Sequence, residues 1–181
     1  MTPGDYSQKL QELSSELRSE YQKYFLASVT GLTGIIQDRV QNKFTNYLGN
    51  NFSTYSITQF EAKKFYKDAT RVRKGLRELK VMQRKHEKLS WFELRVLTGK
   101  TNNRNQKNFD FSGDMWLRFG AKQRGEKVVV GFSTASATKK AKENSEYERY
   151  SIIKPSKGEI QGLIMHLEQF VINKFKQKGL A

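Results

Sequence analysis

Residues 109–132, FDFSGDMWLRFGAKQRGEKVVVGF, decide the fold class. Two apolar runs flank a basic, Gly-containing break, and a Ser-Gly-Asp turn stands in front. The pattern predicts a hairpin: Trp116 to Ala121 as one strand, KQRGEK as the reversal and Val128 to Phe132 as the returning strand. Ser112 and Gly113 are expected to form the tight turn before Met115, a place where glycine tolerates backbone angles that a side chain resists. Nothing in the stretch has the form of a catalytic centre.

Downstream, residues 135–148 are polar, carry Ala135, Ala137 and Ala141, and read as a helix. Tyr150 to Ile153 is a third strand candidate. Pro155-Ser156-Lys157-Gly158-Glu159 holds a capping box, with Ser156 at N-cap and Glu159 three residues on. It opens an amphipathic helix bearing Ile160, Leu163, Ile164, Leu167, Phe170, Val171 and Phe175.

Upstream, the chain reads as helical. Tyr6, Leu10, Leu13, Leu17, Tyr21 and Tyr24 fall three and four apart over residues 5–28, while Glu12, Glu16 and Glu20 repeat on another face. A second helix is expected after Gly31 and Gly34, with Ile35, Ile36, Val40, Phe44 and Tyr47 on one face and Gly49-Asn50-Asn51 closing it. Ser90 to Glu93 is another capping box, so a short helix is expected there. Together these elements predict one α+β domain over residues 1–181. A small antiparallel sheet of three or four strands packs on the long C-terminal helix. Residues 1–90 form an extended helical part, and 91–176 form the α+β core.

Charge narrows the function. The net charge is +15, and from Gln59 to Asn108 fifteen basic residues face five acidic ones, so two thirds of the excess sits in about a quarter of the chain. The 57–88 segment is expected to be helical, with Lys63, Lys67, Arg71 and Lys74 on one stripe and Arg73, Arg77, Lys80 and Arg84 on another; these and Lys64 are the candidate contacts to DNA or to an acidic partner. Such stripes repel one another unless an anion faces them, although a solvated face is the plainer reading. The balance favours a polyanion or an acidic protein as partner.

Other chemistry finds little support. There is no cysteine, which excludes disulfides and thiolate metal sites. The two histidines, His86 and His166, lie eighty residues apart without an acidic cluster beside either. Gly99-Lys100-Thr101 ends like a phosphate-binding loop, but Leu94 stands where that pattern needs its first glycine. The start, MTPGDYSQKL, has no apolar leader core, and no run reaches the roughly 20 apolar residues of a membrane span. The expectation is a non-enzymatic protein made in a cytoplasm, without cofactor, catalytic residue or metal site.

The order of pieces is more specific than any one of them. Phe111-Ser112-Gly113-Asp114-Met115 is followed by Val128, Val130, Gly131 and Phe132, then by Lys140 and Ala141 in a helix. Arg149, Ile152, Ile153, Pro155, Ser156 and Glu159 complete the series. This resembles the phage virion-morphogenesis or tail-completion proteins of the head–tail connector, over residues 91–176. The resemblance implies a ring-forming structural protein of the virion neck or tail, in six or twelve copies, joining portal to tail and assembled in the host cytoplasm. Its partners would be other connector, portal or tail proteins and transiting double-stranded DNA, met through phosphates alone. Tyr6, Leu10, Leu13 and Leu17 would then lie at a subunit interface. The rival readings are a non-specific nucleic-acid-binding protein, of nucleoid or packaging type, and an adaptor for an acidic protein. For the first, Phe65, Tyr66 and Trp91 supply stacking surfaces among the basic residues.

Overall fold

The computed structural model describes residues 2–55, 57–62, 75–100, 103–105, 107, 109 and 115–180. Helix α1 runs from Pro3 to Gln41. Strand β1 (Phe60–Glu61), helix α2 (Leu76–Arg84), strand β2 (Lys88–Leu89) and helix α3 (Trp91–Leu97) follow. A 3-10 turn at Trp116–Arg118 leads into β3 (Phe119–Arg124) and β4 (Lys127–Phe132), and then α4 (Ala135–Glu148) and α5 (Lys157–Gln177). The fold is α+β, with a long C-terminal helix and two small antiparallel sheets.

The expected break in the first helix does not occur. Gly31 and Gly34 lie inside α1, and a Cβ built at either would meet no atom within 4 Å. Each glycine costs a helix about 1 kcal/mol relative to alanine. The uninterrupted apolar face through Val29, Leu32 and Ile36, all buried, offsets that cost. The start is fixed by a reciprocal pair: Asp5 N–H donates to Thr2 Oγ1 and Thr2 N–H to Asp5 Oδ2. The end comes at Gln41, earlier than the expected Gly49-Asn50-Asn51 cap. Phe44 takes a left-handed φ of 56°, and Asn46 gathers the loop by accepting the N–H groups of Leu48 and Asn50 on its side-chain oxygen. Gly49, at φ 83°, serves that loop.

The sheet is also smaller than expected. The β3–β4 hairpin forms, turning through Gly125 at φ 61°, but Trp116 to Arg118 enter it as a 3-10 turn. Tyr150 to Ile153 is no strand. Ile152 is fully buried and donates its N–H to Ser145 Oγ of α4, so the backbone group that a ladder would use is satisfied by a helix side chain. The 57–88 segment is not one helix: it holds β1, the nine-residue α2 and the first residue of β2. Residues 63–74 fall outside the described residues.

The chain divides into two compact units. Unit 1 comprises residues 1–37, 119–131 and 153–181, that is most of α1, the hairpin and α5. Tyr24 stacks on Phe170 with ring centroids 3.9 Å apart, and its hydroxyl lies 2.9 Å from His166 Nε2. Lys174 pairs with Glu20, and Lys178 with Glu16 and Glu12. The glutamate repeat read in the sequence is thus the α1 side of an antiparallel helix pair. The two lysines near the end of α5 meet it.

Unit 2 comprises residues 38–118 and 132–152. Ala62, Leu79, Leu89 and Leu94 form a small core, joined by Phe60, Met82 and Leu97. Sheet β1–β2 pairs Phe60 with Leu89 and Glu61 with Lys88. Helix α3 begins at the anticipated Ser90–Glu93 capping box. It ends with the Gly99 N–H on Val96 O and the Lys100 N–H on Arg95 O, Gly99 being left-handed at φ 69°. Gly99 and Lys100 therefore close a helix, which gives a structural reason for the phosphate-loop likeness.

Candidate functional site

Three features of these units have functional content. The first is the surface of the α1–α5 pair in unit 1. None of the 21 residues of α5 is buried, although seven apolar residues had been read on its stripe. Ile164 is 48% exposed and Met165 62%, and Ile160, Ile172 and Ile35 are exposed as well. Two open grooves run along the helices. One, of about 650 Å³, is lined by Tyr24, Gly31, Ile35, Gly158, Gly162 and Leu163 among others. Its floor is low because glycines and alanine leave room there. The other, of about 540 Å³, is lined by Leu10, Leu17, Tyr21, Val171 and Phe175.

The proposed interface residues separate on this surface. Tyr6 and Leu10 are exposed and Leu17 half-buried, whereas Leu13 is only 2% exposed. Leu13 belongs to the interior of unit 1 and forms part of the lining of the second groove.

The second feature is charge. By sequence, unit 1 holds eleven basic and seven acidic residues, and unit 2 twenty-two and eleven. Arg77, Lys80 and Arg84 stand exposed on one face of α2, opposite the buried Leu79. Lys63, Lys64, Lys67, Arg71, Arg73 and Lys74 lie outside the described residues, as do Ser112, Gly113 and Asp114. Met115 is buried, and Phe132 packs at a tilt on Trp116 with centroids 6.0 Å apart. Gly131 lies near the end of β4 with open space around it. Arg149 terminates α4 in a left-handed conformation, φ 59°. Pro155 precedes the Ser156–Glu159 box, in which Ser156 N–H donates to Glu159 Oε2 at 2.6 Å and Glu159 N–H returns to Ser156 Oγ at 3.2 Å.

The third feature escaped the sequence. In unit 2 the Lys107 ammonium lies 2.5 Å from Glu148 Oε1, with the two side chains 9% and 3% exposed. Lys107 also donates to Ser53 Oγ at 3.2 Å, and Ser53 gives its own hydroxyl and N–H to the two oxygens of Glu148. Aromatic rings surround the ammonium: Tyr147 at 3.9 Å, Phe109 at 5.3 Å and Tyr55 at 6.0 Å. Tyr55 in turn carries the Arg95 guanidinium at 4.6 Å and is tied to Arg104 by two hydrogen bonds. Burial lowers the Lys107 pKa from the ordinary lysine value, and the contact with Glu148 opposes that shift. No local pattern marks this cluster, because Ser53 and Glu148 are 95 residues apart and Lys107 looked like one more member of the basic run.

Among the described residues no cluster of three or more His, Asp or Glu side chains is arranged to hold a metal, and no helix is long and apolar enough to cross a membrane. No family model, curated protein or solved structure matches the chain.

Proposed function

We propose that the chain is a structural protein of the phage head–tail connector, neck or tail-completion ring, with no catalytic role. Copies assemble side by side into a ring of six or twelve around the DNA channel, joining portal to tail. The observation that carries this reading is α5: twenty-one residues, an apolar stripe, and no residue buried within the chain itself. A helix of that composition gains its stability by packing, and here a large part of its apolar surface is left for another protein. The order of motifs from Phe111 to Glu159 gives the reading its direction. Charge fits the same assignment. The excess lies in unit 2, where Arg77, Lys80 and Arg84 supply phosphate contacts without base readout.

Light scattering and negative-stain imaging of the purified chain test the ring. The wild type is expected as a closed ring, and Ile160→Glu with Ile164→Glu as a folded monomer, since exposed sites tolerate substitution within about 0.5 kcal/mol. A wild type that stays monomeric at high concentration while binding DNA would instead favour the nucleic-acid-binding reading. The exposed Trp91 beside a basic segment gives that alternative its footing. In either case DNA affinity should fall with salt at a log–log slope of about −0.9 per phosphate neutralised, without sequence preference.

A further inference from the structure

Lys107 is held in a way that surface lysines are not. Its ammonium has hydrogen-bond acceptors on one side, Glu148 Oε1 and Ser53 Oγ, and the rings of Tyr147, Phe109 and Tyr55 on the others. Ring faces attract a cation through their quadrupole, most strongly where water is excluded, and sets of aromatic rings around an ammonium are a recurrent means of binding one. Most of the frame does not depend on Lys107. Ser53 reaches Glu148 by two hydrogen bonds of its own, Phe52 packs edge-on to Phe109 at 4.7 Å, and Tyr55 is pinned to Arg104.

We propose that Ser53, Tyr55, Phe109, Tyr147 and Glu148 form a binding cage for a primary alkylammonium ion, and that Lys107 is its resident ligand, supplied by the chain itself. The cage requires an ammonium with at least two N–H donors, one for Glu148 and one for Ser53, and the unbranched lysine stem supplies a primary one. A quaternary ammonium has none, and a planar guanidinium places its donors differently. Lys107 is accordingly withdrawn from the basic surface and takes no part in binding a polyanion. This inference stands apart from the connector reading and neither needs it nor supports it.

The test removes the resident and offers a substitute. Lys107→Ala deletes three methylenes and the ammonium, the atoms of n-propylammonium. The variant should melt lower than the wild type, and n-propylammonium chloride should restore several degrees saturably. Tetramethylammonium chloride or sodium chloride at the same concentration should not, and the wild type should not respond. Adding Tyr147→Leu should weaken the apparent affinity for n-propylammonium several-fold. Tyr147 is 60% exposed, so its replacement spares the fold. Equal responses to all three salts, or an affinity indifferent to Tyr147, would overturn the cage. Should Lys107→Ala fail to fold, reductive methylation of the wild type decides. Lys107 should react far more slowly than Lys139 and Lys142, which are exposed on α4, and equal rates would overturn the assignment.

Discussion

The two units hold their charges in opposite ways. Unit 1 spreads its ion pairs along the outside of a helix pair, where Glu12, Glu16 and Glu20 meet Lys174 and Lys178 with water at hand. Unit 2 carries most of the net charge and buries one pair, Lys107 with Glu148, behind aromatic rings. Exposed pairs contribute little and are screened by salt. A buried pair contributes little net stability when intact, yet breaking it is costly, because one charge is left without its partner in a medium that solvates it poorly. The contrast shows where each unit is vulnerable: unit 2 to single substitutions, unit 1 to solvent conditions and to the loss of whatever covers its apolar face.

Both tryptophans, Trp91 and Trp116, belong to unit 2, whereas the longest helices, α1 and α5, supply unit 1. Tryptophan fluorescence therefore reports on unit 2, while far-ultraviolet circular dichroism is weighted towards unit 1. The largest effect is expected from Glu148→Ala, which strands the Lys107 ammonium and the Ser53 N–H. It should cost about 3 to 5 kcal/mol in urea unfolding followed by fluorescence. Replacing both charges together, as Lys107→Met with Glu148→Leu, should recover most of that. A single substitution costing under about 1 kcal/mol would show that the pair is hydrated in solution and that the contrast between the units is false.

A smaller loss is expected at Gly75, also in unit 2. It precedes α2 with φ 77°, and a Cβ there would sit 2.6 Å from the Leu97 carbonyl oxygen. Side chain and backbone conformation are both opposed, so Gly75→Ala should cost about 1 to 3 kcal/mol. The same substitution at Gly31 of unit 1, helical and facing open space, should stabilise by a few tenths up to about 1 kcal/mol. Equal effects at the two positions would mean that the approach of Gly75 to Leu97 is relieved by movement of α3.

Local signals were legible and long-range ones were not. The two capping boxes, the reversal at Gly125 and the α+β class are properties of neighbouring residues, and sequence periodicity carries them. Gly31 and Gly34 misled because glycine marks a helix end only where a left-handed residue is needed, and here the apolar face runs on through Ile36 and Val40. Tyr150 to Ile153 has a strand's composition, but the Ser145 hydroxyl, in the last turn of α4, competed for its backbone. Leu13 and Leu10 belong to one stripe in the sequence, and only packing decided that the first is interior and the second surface. The Lys107 cluster could not be read at all, since burial of this lysine is set by residues 41 and 54 positions away from it.

The smallest effect sharpens the contrast from the side of unit 1. Lys178 holds the Glu16 carboxyl below the ordinary glutamate value of 4.5, and Glu16 in turn raises the Lys178 ammonium above 10.5. The signs follow by linkage. For Glu16, whose folded pKa is depressed, the stabilisation is fully present above pH 4.5 and is lost as pH falls through the folded value. For Lys178, whose folded pKa is raised, it is fully present below pH 10.5 and is lost as pH rises through the folded value. The pair therefore acts between those limits and fades outside them. Lys178→Met should lower the circular-dichroism urea midpoint slightly at neutral pH. The difference from wild type should shrink as pH falls through the folded Glu16 value, where the carboxylate takes up its proton and the attraction is lost. It should also shrink in about 1 M salt, where screening acts within 3 Å. Fluorescence, which reads unit 2, should register neither change. A pH-independent difference would mean that Lys178 contributes through its methylene stem against Glu12 and Glu16, and that unit 1 is held by packing alone.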